Sequence, residues 1–246
     1  MLTEPTMDKL RALDLHGMAS AWIEQQKQPD LTRLSFDERF GLLVDVEWDR
    51  RQNKRLERRL KEAKLKFSRA CLENVDYPPR RELDKAAVRQ LASCQWIEQH
   101  HNLVISGKTG TGKTYLACAF AQQACRKGYR TCYRRAPRLF HELALARADG
   151  TYVRLLAKLA RLDLLVVDDW ALAPLADEER RDFLEVVEDR AETRSTILTS
   201  QLPIEKWHDH VADPTIADAL CDRLLHNAYR LVLKGPSRRK EAPEKS

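Results

Sequence analysis

The chain has 246 residues, which is enough for one large domain or two small ones. With 43% hydrophobic and 33% charged residues it can form a core, which excludes wholesale disorder. The formal net charge of +6 favours an acidic partner such as nucleic acid or an anionic membrane surface. No apolar run approaches the ~20 residues that span a bilayer, and the mixed-charge N-terminus is unlike a secretory signal. We therefore expect a cytoplasmic protein with no membrane partner, whose six cysteines, without CxxC spacing, are reduced.

Residues 1–72 are predicted to form a helical N-terminal domain that binds DNA or a protein partner. Apolar residues recur at helical spacing over 10–23 and again over 36–48, and a break is predicted at 25–35. The second helix then becomes basic, with ten Lys or Arg against two acidic residues between positions 50 and 69.

The pattern changes after a linker at 73–84, which contains two adjacent prolines. Over 85–236 short apolar strands alternate with helices, which indicates an α/β fold with a parallel sheet covered by helices on both faces. Residues 237–246 are predicted to be a disordered tail. The predicted strands are 102–106, 130–134, 164–168, 196–200 and 229–234. The predicted helices are 113–128, 136–147, 151–161, 177–192 and 215–226.

A glycine loop lies between the first of these strands and the helix that follows it. Its sequence, GKTGTGKT, matches the phosphate-binding pattern G-x-x-x-x-G-K-[ST]. The glycines let backbone N–H groups face phosphate oxygens, and the helix N-terminus favours negative charge. Lys113 can reach the β- and γ-phosphates, and the Thr114 hydroxyl can bind Mg²⁺. The loop residues are Gly107, Lys108, Thr109, Gly110, Thr111, Gly112, Lys113 and Thr114.

Two adjacent carboxylates, Asp168 and Asp169, follow a strand that is apolar on both faces. A buried carboxylate is costly unless a cation compensates its charge. In phosphate-loop proteins a second strand ends in a carboxylate that holds the Mg²⁺ shell, which predicts that role for Asp168. Asp169 is predicted to polarise the attacking water. The alternative is that the pair only caps the next segment.

Two further polar candidates follow later strands and helices. The strand TILTS ends at Ser200 and is followed by Gln201. Gln201 is the first candidate, and Ser200 the second, for a hydrogen bond to the γ-phosphate or the attacking water. Arg223 lies on a short helix before the last strand, where it is either a solvated residue or an arginine supplied to the phosphates of a neighbouring subunit.

A second basic cluster, at 126–138, carries six Lys or Arg and no acidic residue. Basic runs are usually solvated faces, but two of them beside a phosphate-handling core point to nucleic acid. Tyr129 and Tyr133 are interleaved with these charges and are expected to pack as strand residues.

Several stretches, taken in order, resemble the IstB-like transposition helper ATPases, which are AAA+ proteins close to the helicase loader DnaC and the initiator DnaA. The N-terminal residues resemble the small helical domain of the same family, so the resemblance covers residues 1–236. Its specific part is the succession ARADGTY, DDW, TSQLP and DRLLHNAYR. One departure is Ala171, where similar sequences usually carry Gly.

The resemblance implies an AAA+ ATPase domain without a full lid over 85–236. It implies that residues 107–114 bind ATP with Mg²⁺ and that Asp168 and Asp169 form the Walker B pair. Gln201 then resembles sensor 1, and Arg223 an arginine finger that acts across a subunit interface. The helical stretch at 136–150 resembles the insertion with which proteins of this clade contact and track nucleic acid inside an oligomer. Candidate DNA contacts there and on the basic helix are Arg134, Arg135, Arg138, Arg147, Arg55, Arg58 and Arg59.

The function implied by the resemblance is that of a transposition helper. Such a protein assembles with ATP on duplex DNA as an oligomer, selects a target and recruits the cognate transposase. The nearest alternative is a DnaC-like helicase loader. A small-molecule kinase would need a closing lid and a second substrate pocket. A nucleotide-gated DNA scaffold with little turnover is the remaining hypothesis.

Overall fold

The computed structural model describes residues 3–28, 30 and 33–237. The chain folds into two compact units, 1–58 and 59–246. The division falls inside one long helix, and the domain boundary expected at residue 72 stays a prediction. The predicted tail lies outside the described residues beyond Ser237.

The N-terminal unit is helical, as the sequence predicts. Its helices are α1 (Thr3–Ala12), α2 (His16–Lys27) and α3 (Phe36–Ala63), the last of which continues into the second unit. The apolar pattern over 10–23 is divided between two helices, because Asp14 adopts a left-handed backbone with φ 55° that ends the first of them.

The buried Glu47 of α3 fixes the start of α2. Its carboxylate accepts hydrogen bonds from the backbone N–H groups of Gly17, at 2.6 Å, and Met18, at 3.3 Å. A negative charge is favourable at a helix N-terminus, where backbone N–H groups lack partners within the helix. Gly17 permits the close approach, since a Cβ there would lie 2.8 Å from the Glu47 Cα.

The C-terminal unit contains a five-stranded sheet in which every described neighbouring pair is parallel. The strands are β1 (Asn102–Gly107), β2 (Thr131–Arg135), β3 (Leu164–Trp170), β4 (Ser195–Ser200) and β5 (Ala228–Leu233), in the spatial order β2-β3-β4-β1-β5. The helices are α4 (Lys85–Ala92), α5 (Gln95–Glu98), α6 (Lys113–Arg126), α7 (Ala136–Ala148), α8 (Tyr152–Ala160), α9 (Asp177–Glu188), α10 (Trp207–Val211) and α11 (Pro214–Leu225). The predicted α/β fold class is confirmed, and each predicted strand is present to within two residues at either end.

Helices cover the sheet on both faces, which explains why the central strands are apolar throughout. Leu116 and Phe120 of α6 are buried in one core cluster, together with Leu103 of β1. On the other face Trp170 packs against Phe183 of α9, with ring centroids 4.4 Å apart.

Parallel pairing places the carboxyl ends of all five strands at one edge of the sheet. The phosphate-binding loop leaves β1 at this edge, and Asp168 and Asp169 close β3 beside it. At the same point the register of β3 against β4 shifts between Val167 and Trp170. The topology therefore gathers the candidate residues that sequence analysis places on separate strands.

The opposite edge is held by a buried arginine. Arg190 donates to the carbonyl oxygens of Leu159, Leu162 and Ser195. Burial lowers its pKa to about 9. Arg190 therefore joins the ends of α8 and α9 to the start of β4, and its role at this edge is structural.

Among the described helices, none combines the length and apolarity needed to cross a bilayer.

Candidate nucleotide-binding and hydrolysis site

The phosphate-binding loop adopts positive φ angles that its glycines permit. Gly107, Gly110 and Gly112 adopt φ angles of 146°, 85° and 93°. A Cβ at Gly107 would lie 2.2 Å from the Leu233 carbonyl oxygen, so only glycine fits there. The buried Lys113 donates from Nζ to the carbonyl oxygens of Gly107, at 2.8 Å, and Lys108, at 3.0 Å. Its ammonium group therefore lies within the curve of the loop.

Thr114 and Asp168 are in direct contact, as their predicted shared role requires. The Thr114 hydroxyl donates to the Asp168 carboxylate at 2.9 Å, and Asp168 is fully buried. A hydroxyl and a carboxylate are hard oxygen ligands of the kind Mg²⁺ prefers, with substrate phosphates completing its shell. No cluster of three or more His, Cys, Asp or Glu suited to a metal occurs in the described part of the chain. The pair thus fits Mg²⁺ shared with phosphates rather than a metal held by protein alone.

Two residues that hold Asp168 were not predicted from the sequence. Tyr133, expected only to pack, donates from its hydroxyl to Asp168 at 2.6 Å. Burial, and then this hydrogen bond, raise the pKa of Tyr133 well above its usual range. Thr199 donates to Asp168 at 2.5 Å and accepts the backbone N–H of Asp169 at 3.0 Å. Only the strand order could reveal them, since β2 and β4 lie on either side of β3.

Asp169 has an unusual backbone and a charged partner. Its φ is 59°, in the left-handed region that favours glycine. Its carboxylate accepts from Arg135 Nε at 3.0 Å and forms an ion pair with the terminal nitrogen at 2.9 Å. Ala171 also has a φ of 59°, which is the conformation that a glycine at that position would adopt more readily.

Gln201 lies at the loop, and Ser200 does not. The Thr109 hydroxyl donates to Gln201 Oε1 at 2.6 Å. Ser200 is buried and donates to the Trp170 carbonyl oxygen at 3.1 Å, which turns it away from the loop. A cleft of about 450 Å³ is lined by Phe67, Asn74, Thr109, Gly110, Gly112, Lys113, Thr114, Tyr115, Asp169 and Gln201.

A family model described as IstB-like ATP binding protein matches residues 8–246. The chain belongs to this family. It is 47% identical to y4pL of Sinorhizobium fredii over all of both chains, and that protein's name describes an insertion sequence ATP-binding protein. It is 52% identical over 203 residues to the ATP-binding protein named for insertion sequence IS1162 of Pseudomonas fluorescens, which covers 82% of this chain and 88% of the relative. The chain is therefore a member of a family of ATP-binding proteins, and the relatives named here are insertion sequence ATP-binding proteins.

Solved structures agree with that fold. AMPPCP-bound DnaA from Aquifex aeolicus has a TM-score of 0.57 and 22% identity, over 70% of this chain and 53% of that one. The DnaC helicase loader has a TM-score of 0.56 and 21% identity, over 67% of this chain and 97% of that one. At these identities the likeness concerns the fold alone, and it confirms the AAA+ core expected from the sequence.

Arg223 of the IstB-like chain is remote from its own phosphate-binding loop. Its backbone carbonyl accepts from the side chain of Asn102, the first residue of β1, at 3.1 Å. Gly107 ends that strand about 17 Å away, at ~3.3 Å per residue. The Arg223 guanidinium pairs with Glu188 at 2.9 Å. Within one chain it lies too far from the loop to contact the nucleotide, and its role in a neighbouring subunit's site stays a prediction beside that of a surface residue paired with Glu188.

The predicted DNA-contacting arginines near α7 do not form one exposed row. The Arg134 side chain is only 11% exposed and pairs with Glu142 at 2.9 Å. Arg147 donates to the buried Asp182 at 2.8 Å. Arg135, Arg138 and Arg147 are the accessible members, with side chains 49%, 78% and 45% exposed.

The predicted DNA-contacting arginines of the basic helix α3 are exposed or partly buried. Arg55 and Arg58 lie on the exposed surface of α3 in the N-terminal unit, and Arg59 is partly buried in the second unit. Their role in DNA binding stays a prediction.

Replacing Thr199 tests the contact that sequence analysis missed. Thr199→Val keeps the shape but removes the hydroxyl, so we expect at least a tenfold loss of ATP turnover, equivalent to about 1.4 kcal/mol. The buried carboxylate also loses a donor, which should lower the free energy of unfolding by about 1–3 kcal/mol. Thr199→Ser keeps the hydroxyl and is the matched control. Equal turnover and equal urea midpoints for the two variants would contradict this role.

Proposed function

We propose that this IstB-like protein is a DNA-dependent ATPase that assembles on duplex DNA with ATP and serves the transposase of its insertion sequence. The observation that carries the ATPase part is the contact of Thr114 with Asp168 beside the loop, with Asp169 following directly. The insertion sequence names of relatives that are 47% and 52% identical support the transposition part.

The chain's own groups suit binding and hydrolysis of ATP. The loop N–H groups and the Lys113 ammonium receive the phosphates. Thr114 and Asp168 would hold Mg²⁺, which neutralises phosphate charge when bound. Asp169 would orient the attacking water, for which it must be free of Arg135. Gln201, at hydrogen-bond distance from Thr109 of the loop, would reach the γ-phosphate side.

The charge distribution supports DNA as a partner. The net charge is +6, and the accessible Arg135 pairs with the carboxylate that the mechanism uses, while the exposed Arg138 lies three residues further along the chain. A DNA phosphate that draws Arg135 away from Asp169 would release this carboxylate for catalysis. Such contacts give affinity through phosphate charge, with little sequence preference and strong salt dependence.

Assembly of several subunits is the step that would bring Arg223 into use. Its place near the amino end of β1, away from its own loop, requires a neighbour if it is to contact a nucleotide. The helicase-loader alternative is less well supported, because the fold likeness to DnaC carries no function at 21% identity.

The test is ATP hydrolysis by the purified protein with and without long duplex DNA across a salt series. We expect DNA to stimulate turnover and the stimulation to fade steeply between about 50 and 200 mM salt. Lys113→Ala serves as the control for contaminating ATPase. Turnover that is indifferent to DNA at every salt concentration would contradict the proposal.

A further inference from the structure

A groove lies between α2 and the start of α3 in the N-terminal unit, and the ATPase mechanism does not use it. Its volume is about 320 Å³. The groove is lined by Trp22, Gln25, Gln26, Gln28, Phe36, Arg39, Phe40 and Leu43.

The rim of the groove is apolar and aromatic. The side chains of Phe36 and Phe40 are stacked, with ring centroids 5.9 Å apart and an angle of 17° between the planes. They are 68% and 48% exposed, whereas Leu43 one turn further on is buried. The sequence pattern over 36–48 predicts a buried face, but Val44 and Trp48 are also exposed. Exposed phenyl rings of this kind favour binding of a partner, because removing apolar surface from water lowers the free energy.

The groove also carries two donors without acceptors. Trp22 Nε1 and Arg39 Nε are both buried and have no hydrogen-bond partner among the described residues. Buried donors are normally satisfied, so an occupant of the groove whose oxygen atoms reached these two nitrogens would supply the missing hydrogen bonds. Among the described lining residues Arg39 is the only ionisable one, and none of them carries a carboxylate. The lining is therefore apolar and positive, with no anionic acceptor of its own.

These properties select among possible occupants. A second copy of the groove would bring Arg39 against Arg39 and supply no carboxylate for either of them. Duplex DNA offers phosphate oxygens, but its bases are stacked inside the double helix and do not cover the two phenyl rings. A peptide segment with large apolar side chains and a carboxylate satisfies both the rings and the donors.

We propose that this groove binds an acidic, apolar segment of the cognate transposase. The inference rests on the proposed function, which supplies the transposase as partner. In the complex the apolar side chains of the segment lie on Phe36 and Phe40, and its carboxylate pairs with Arg39. Recruitment of the transposase then belongs to the N-terminal unit, while ATP hydrolysis belongs to the second unit.

The test measures binding of the purified full-length protein to the purified transposase by titration calorimetry, together with DNA-stimulated ATP turnover. Phe40→Ser should weaken binding about tenfold or more, as loss of an aromatic anchor does. Arg39→Met should weaken it too and reduce its salt dependence. Both changes should leave DNA-stimulated turnover without transposase unaltered. Val153→Ser removes an apolar side chain that is 77% exposed in the second unit, and is the matched control.

The contradicting outcomes are distinct. Wild-type affinity in both groove variants, with the transposase bound, would overturn the groove assignment and leave the proposed function standing. No binding of transposase to the wild-type protein would overturn the proposed partnership itself, and the groove assignment with it. A change of oligomeric state in Phe40→Ser, with transposase affinity retained, would show that a second copy occupies the groove.

Discussion

Asp168→Asn is expected to lower ATP turnover by on the order of 10²-fold or more, the scale seen when a key charge at a reacting centre is removed. The carboxylate is fully buried and accepts hydrogen bonds from Thr114, Tyr133 and Thr199. An amide there removes the negative charge that Mg²⁺ requires, and it offers one acceptor oxygen instead of two. ATP-driven assembly on DNA should fail with it. The measurements are steady-state hydrolysis and light scattering with ATP and duplex DNA.

A loss of ATP turnover in Asp168→Asn must be distinguished from a loss of folded protein. Three hydroxyl groups would then share one acceptor oxygen, which should lower the free energy of unfolding by about 1–3 kcal/mol. Urea denaturation is therefore measured alongside hydrolysis. Asp163→Asn is the matched control, because Asp163 precedes β3 at the other edge of the sheet and accepts the backbone N–H of Arg130 at 2.8 Å. Hydrolysis and assembly at wild-type levels in a folded Asp168→Asn protein would refute the metal-holding role.

Asp169→Asn is expected to reduce hydrolysis by a similar factor, while ATP-dependent DNA binding persists. The side chain of Asp169 is outside the buried cluster and pairs with Arg135, so its loss leaves the contact between Thr114 and Asp168 in place. A protein that binds ATP but does not cleave it should stay on DNA. The measurements are hydrolysis and DNA-binding anisotropy at matched ATP concentrations. If hydrolysis continues at the wild-type rate, Asp169 does not orient the water.

Arg135→Ala is the reciprocal change and is expected to act in the opposite direction. Without the ion pair at 2.9 Å, Asp169 is released in the absence of DNA, so basal turnover should rise and stimulation by DNA should shrink. Arg138→Ala is the matched control, since this arginine is exposed and pairs with Glu142 instead. Basal turnover equal in the two variants would show that Arg135 does not restrain Asp169.

The phosphate-binding loop and the strand pattern could be predicted because both depend on neighbours in sequence. Glycine spacing determines where the backbone can curl, and Gly107, Gly110 and Gly112 all take the positive φ values that this requires. Apolar runs determine which segments can be buried on both faces of a sheet. The bends that divide helices were harder to predict, as Asp14 shows, since aspartate adopts a φ of 55° more often than most residues but still only occasionally.

The surroundings of the two aspartates were decided by the tertiary structure alone. Tyr133, Arg135 and Thr199 come from strands separated by about thirty residues from β3, and they meet Asp168 and Asp169 only because β2 and β4 flank it. Likewise Arg134 and Arg147 look like free charges in sequence but pair with Glu142 and Asp182.

The sequence by itself thus determined the family, the loop that receives phosphates and the two carboxylates near the end of β3, because these depend on local spacing and burial. The strand order and the packing of helices decided which donors hold Asp168, which arginine restrains Asp169, and which aromatic side chains of α3 stay exposed. The physical reason is that hydrogen bonds and ion pairs act over about 3–4 Å, so partners distant in sequence become apparent only when the chain has folded.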